Sequence, residues 1–72
     1  MPVEEPNVAI ESIRRRVAGI RDIAADDEKA HSLEIELHHD VLHAISLGCA
    51  NPDLLAREAL RTRSIPFCRW TA

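Results

Sequence analysis

Between Ala30 and Leu47 the chain repeats apolar residues at the spacing of an α-helix, and one carboxylate breaks the repeat. At about 100° per residue, Ala30, Leu33, Leu37, Val41 and Ala44 fall on one continuous arc. Glu34 lies inside that arc, His31 and His38 lie along its border, and Glu36, His39 and His43 lie on the opposite face. A carboxylate in an apolar stripe is costly to bury unless something pairs with it. The segment therefore calls for a helix packed on one face, and for a cation brought to Glu34 from elsewhere in the chain. The rest of the sequence describes a small helical domain and prescribes no activity.

A chain of 72 residues holds a single domain, 1–72, and buries only about 60% of the surface its unfolded form exposes. Disulfides, metals or self-association commonly supplement so small a core. Phe67 and Trp70 are the aromatic residues, both in the last six positions, so the core is aliphatic. No run approaches the roughly 18 apolar residues of a membrane span, and no signal-peptide pattern opens the chain. The expected setting is the cytoplasm, without a membrane partner. Cys49 and Cys68 are then expected as free thiols, with a bridge between them as the alternative; there is no Cys-x-x-Cys.

The formal charge of −3 divides unevenly. Residues 1–21 sum to +1 (four Arg, three Glu), 22–46 to −6 (seven acids, one Lys), and 47–72 to +2 (four Arg, two acids). An acidic centre between basic flanks neutralises itself by folding back, which disfavours nucleic acid as a partner. Arg14, Arg15, Arg16 and Arg21 form the only basic cluster and read as a solvated face that pairs with the acidic second helix. Eight arginines against one lysine, with abundant alanine, point to a GC-rich bacterial or phage genome.

The spacing predicts helices over about 7–25, 27–47 and 52–62, followed by a tail at 64–72. Asn7 is placed to cap the first helix, whose seam is Ile10, Ile13, Val17, Ile20 and Ala24, with Ala9 and Ile23 at its edges. Gly19 offers a close helix approach. Asp26 or Asp27 starts the second helix, its apolar face runs on to Ile45 and Leu47, and Gly48 suits a left-handed stop. Asn51 as cap, Pro52 at the first helical position and Asp53 open the third. Its apolar face is Leu55, Ala56, Ala59 and Leu60, and Leu54 points away from it. Pro66 disfavours helix for itself and for Ile65, so the tail is extended and folds back with Ile65, Phe67 and Trp70 to close the core. The fold class is all-α: a small three-helix bundle, up-down-up, with an extended C-terminal tail packed over it.

Two constellations could carry chemistry. His31, Glu34 and His38 share an inner face, where three readings compete: a metal site, an acid/base pair, and a structural clasp. In the clasp, Glu34 takes the guanidinium of Arg69, joined by His31 and Trp70. Arginine's fork matches a carboxylate, and no nucleophile or oxyanion donor accompanies the set, so the clasp is preferred and no catalytic residue is assigned. On the wet face His39 and His43 stand at i, i+4 with Glu36 nearby, but the residues between them are Asp40, Val41 and Leu42, so the His-Glu-x-x-His motif is absent. They are at most weak metal candidates, and no cofactor is assigned. A helix-turn-helix over the second and third helices would read DNA with Arg57, Arg61 and Arg63, but the acidic second helix would repel phosphate.

Asp27-Glu28-Lys29-Ala30-His31-Ser32-Leu33-Glu34 and Ile65-Pro66-Phe67-Cys68-Arg69-Trp70-Thr71-Ala72 together resemble a group of small proteins from actinobacteria and their phages. That group pairs an Ala-His-x-x-Glu helix with a Phe-x-Arg-Trp-x-Ala ending, and has no function to carry over. Ile35 stands where its members often have an acid. The resemblance implies contact between the two motifs. The expected role is a small non-enzymatic accessory or protein-interaction domain of bacterial or phage origin, with another protein or a second copy as partner. Its surface would be Ile35, Leu42 and Leu54, because Ile35, Leu42 and Ser46 leave a second stripe uncovered. The alternatives are a DNA-binding regulator and a weak metal-binding helical protein.

Overall fold

The computed structural model describes residues 6–69, with side chains from Ala9 onward. Three helices follow one another: α1 (Pro6–Asp22), α2 (Asp27–Ser46) and α3 (Pro52–Ala59), the last running into a 3-10 helix at Leu60–Ser64. Each helix packs against the other two. The connections, 23–26 and 47–51, are short enough to make successive helices antiparallel. Among the described residues no helix is long and apolar enough to cross a membrane. The chain is an all-α three-helix bundle.

The periodicity decides what goes inside. Ile13, Val17 and Ile20 from α1, Ala30, Leu37 and Val41 from α2, and Leu55 and Ala59 from α3 form the buried core, and Ile65 of the tail seals it. Phe67 packs against its edge. α1 ends at Asp22, short of the expected 25, because residues 23–26 turn through i→i−3 bonds such as Ala24 N–H to Arg21 O (3.3 Å) and Asp26 N–H to Ile23 O (2.9 Å). Ile23 and Ala24 still meet the core from this turn, so the apolar spacing outlasts the helix. The Asn7 cap position lies within α1, and its side chain is outside the described residues. Open space surrounds Gly19, so no close approach requires a glycine there.

Asp26 caps α2 by accepting the Lys29 amide (3.1 Å), with Asp27 and Glu28 against the positive end of the helix dipole. At the other end Gly48 takes a φ of 81°. Its amide bonds to Ile45 O (3.0 Å) and that of Cys49 to Ala44 O (3.2 Å), a Schellman stop. Leu47 sits on this turn and is exposed, outside the apolar face assigned to it.

Asn51 precedes α3 as expected but does not cap it with its side chain. Its φ of 55° is left-handed, whereas side-chain capping needs extended backbone at that position. The Asn51 carbonyl instead takes the Leu54 and Leu55 amides (3.1 Å each). The α-helical hydrogen bonding stops at Ala59, not about 62. There the buried Thr62 hydroxyl donates back to Ala59 O (3.1 Å), and Pro66 has no N–H with which to continue the ladder. Leu55, Ala59 and Thr62 make the inward line, and Leu60, expected inside, swings to the surface.

Candidate functional site

Glu34 is 3% exposed, one of two buried polar residues among those described. Arg69 reaches it with a bidentate fork, Nε to Oε1 at 2.8 Å and Nη2 to Oε2 at 3.0 Å. The same guanidinium donates to Thr62 O (2.7 Å) and Ile65 O (3.2 Å) through Nη2, and to Phe67 O (3.2 Å) through Nη1. Those carbonyls close the 3-10 helix and begin the tail, so one side chain neutralises the buried charge and caps the last helical turn. The Arg69 guanidinium also lies 3.8 Å from the centre of the Phe67 ring, a cation–π contact. Burial pushes the Glu34 pKa up. The Arg69 hydrogen bonds lead the causes that outweigh it, with the Arg69 charge behind them, and hold the group below its ordinary value. A carboxyl held ionised in this way is a poor general acid.

His38, and not His31, completes the inner face. Its Nε2 lies 3.1 Å from Ala59 O and 3.0 Å from Thr62 Oγ1. A carbonyl only accepts, so Nε2 carries a proton shared between the two oxygens. That nitrogen has no lone pair left for a metal or a substrate proton. His31 is half-buried on the border of the same face and takes no part in these side-chain bonds; Trp70 lies outside the described residues. The tail gains another tie where the Cys68 amide donates to Asp27 Oδ1 (3.0 Å). Thr62 stands seven residues after Leu55 on the inward line, so its place was open to the periodicity. The Asp27 tie required knowing the tail's path.

On the wet face the rings of His39 and His43 stack, centroids 6.3 Å apart at 14°, and Glu36 is exposed. His39 Nδ1 stands 3.6 Å from Asp40 Oδ1, and Asp40 receives Arg16 at 3.0 Å. The Arg16 hydrogen bond leads the causes that lower the Asp40 pKa. Among the described residues no three His, Cys, Asp or Glu side chains converge on a point where an ion could sit. The basic cluster of α1 reaches both neighbours, Arg16 to Asp40 of α2 and Arg14 to Glu58 of α3 (3.5 Å). Cys49 and Cys68 are free.

Three open hollows of about 200–270 Å³ mark the surface of the described residues; two lie over α1, beside Gly19, Ile20 and Leu33 and beside Ala9, Ile13 and Cys49. The third, a groove of about 200 Å³, runs along the α2/α3 seam over Val41, Ala56 and Ala59, with His38, Leu42 and Leu60 at its sides. Leu42 is 67% exposed and Leu60 58%; Ile35, at 56%, lies on the same stripe of α2 as Leu42. Leu54 is exposed too but does not line this groove. Leu60, which the helical spacing put inside, takes its place. No family model matches the sequence, and no curated protein or solved structure matches it either.

Proposed function

We propose that this chain is a small, non-enzymatic protein-interaction domain, cytoplasmic and of bacterial or phage origin, whose contact surface is the α2/α3 groove. The observation that carries this reading is the exposure of Leu42 and Leu60 on either side of an alanine floor. Large aliphatic side chains grouped in this way on a small domain mark a contact site. Two of the three inner-face groups that a catalytic reading would use are otherwise engaged. Glu34 is held by Arg69, and the His38 Nε2 proton by Ala59 and Thr62. Free thiols suit a reducing compartment.

The DNA-binding alternative has less support, because the acidic α2 lies beside its reader helix and one of its three reader arginines, Arg61, is paired with Glu58. A photo-crosslinking amino acid at position 42, in the cells that make the protein, tests the interaction reading. A discrete adduct identified by mass, lost when Leu60→Arg is added and absent from a probe at position 47, supports it. No adduct, or one indifferent to Leu60→Arg, refutes it. Salt-sensitive binding of duplex DNA by the purified chain would carry the alternative.

A further inference from the structure

We propose that His39 and His43 chelate a divalent transition-metal ion of the class that prefers imidazole nitrogen, such as copper, nickel or zinc. Residues four apart on a helix share one face, one turn from each other, and imidazole is a ligand that these ions select. The two rings already lie side by side, nearly parallel at 14° with centroids 6.3 Å apart. Metal–nitrogen bonds of about 2.0 Å place two neighbouring ligand nitrogens about 3 Å apart. Both side chains stand at the surface, His39 at 79% exposure. Rotation of the rings closes that gap without disturbing the core. His38 does not serve, because its Nε2 proton is shared between Ala59 and Thr62.

Asp40 supplies the orientation. Its Oδ1 stands 3.6 Å from His39 Nδ1, and its Oδ2 receives Arg16 of α1 at 3.0 Å. A carboxylate beside Nδ1 favours the tautomer with the proton there, which leaves the Nε2 lone pair for a metal. Metal-binding histidines are commonly oriented by such a carboxylate, and here a neighbouring helix holds it in place. Residues 22–46 sum to −6, and Glu36 is exposed one turn before His39, so the local field draws cations. With two protein donors, water fills the remaining positions of the ion. Neither histidine lines the α2/α3 groove, and the site stands independently of the interaction reading.

Zinc chloride titrated into the full chain, followed by NMR of the imidazole rings, reads the result at the atoms concerned. The His39 and His43 signals should move together along one curve at submillimolar zinc, while those of His31 and His38 stay. Zinc held by Cys49 or Cys68 does not enter this readout. His43→Ala should raise the zinc concentration that half-shifts His39 by at least about tenfold, because a second ligand on the same turn binds intramolecularly. Asp40→Asn should raise it by about tenfold. Glu36→Gln, which removes an equal charge away from His39 Nδ1, should raise it less. These positions are exposed, so the helical circular dichroism spectrum should not change. Rings unmoved by millimolar zinc, or a His39 response unchanged in His43→Ala, would overturn the chelate. An equal loss in Glu36→Gln and Asp40→Asn would overturn the orienting role of Asp40.

Discussion

Removing Arg69 should cost this protein more than removing the glutamate it holds. The Glu34 side chain is 4% accessible and that of Arg69 19%. In Arg69→Ala the carboxylate stays buried without a counter-charge, and the carbonyls of Thr62, Ile65 and Phe67 lose a donor. Breaking a buried pair from one side costs about 3–5 kcal/mol. A domain of this length has roughly 4–11 kcal/mol in all, so the change consumes a large part of the total. Even 3 kcal/mol lowers the melting temperature of so small a domain by about 12 °C or more. Glu34→Ala should cost less, about 1–3 kcal/mol, because Arg69 keeps its three carbonyls and the Phe67 face and is partly wet. Adding Glu34→Ala to Arg69→Ala should restore stability relative to Arg69→Ala alone, since the stranded charge is gone.

Urea unfolding followed by far-ultraviolet circular dichroism at pH 7 measures all three, and Arg69→Lys supplies a milder variant should Arg69→Ala not fold. The acid limb separates this account from simple loss of packing. In the wild type the folded-state pKa of Glu34 lies below its ordinary value. Its contribution is therefore present above the unfolded pKa and lost as pH falls through the folded one. Without Arg69, burial wins and the folded pKa rises above the unfolded one, so Arg69→Ala should gain stability between neutral pH and about pH 5. An Arg69→Ala variant within about 1 kcal/mol of wild type, or a Glu34→Ala variant costing more than it, would refute the reasoning.

Three further outcomes are expected. In the wild type the urea midpoint should fall on acidification below the ordinary glutamate pKa of 4.5; Glu34→Gln should start lower at pH 7 and flatten that dependence. Gly19→Ala should raise the melting temperature by adding about 0.5–1 kcal/mol, since its Cβ enters open space, whereas Gly48→Ala should cost about 1–2 kcal/mol because its φ is +81° in equally open surroundings. Thr62→Val, which keeps shape and removes the hydroxyl shared with His38, should cost about 0.5–1.5 kcal/mol in urea unfolding, and no loss would count against that hydrogen bond.

The features legible in the sequence were those set by local chemistry. Glu34 stood out because it interrupted a helical arc, and Arg69 because a fork was needed in the returning tail. Gly48, Pro52 and Pro66 punctuate the backbone by their own conformational limits, and each does so where expected. What stayed hidden depends on neighbours brought in from a distance. Asn51 carries ordinary cap chemistry but is turned left-handed by the tight connection between α2 and α3. Leu60 and Thr62 exchange places relative to a hydrophobicity scale, because the inward line of α3 passes through the hydroxyl that meets His38. His31 and His38 border the same arc equally well, and only the position of α3 selects His38.

The clasp joins residues 35 apart in sequence, whereas the helices and their turns are built from near neighbours. Closing a long loop is entropically costly and gains nothing until its ends meet. Arg69 is therefore expected to dock after the rate-limiting step of folding, on a bundle whose helices have already associated. Contacts formed that late act on unfolding and leave the folding rate almost unchanged. The lifetime of the native state, and with it the interval before a protease finds the chain open, is then governed by how often one guanidinium releases its carboxylate.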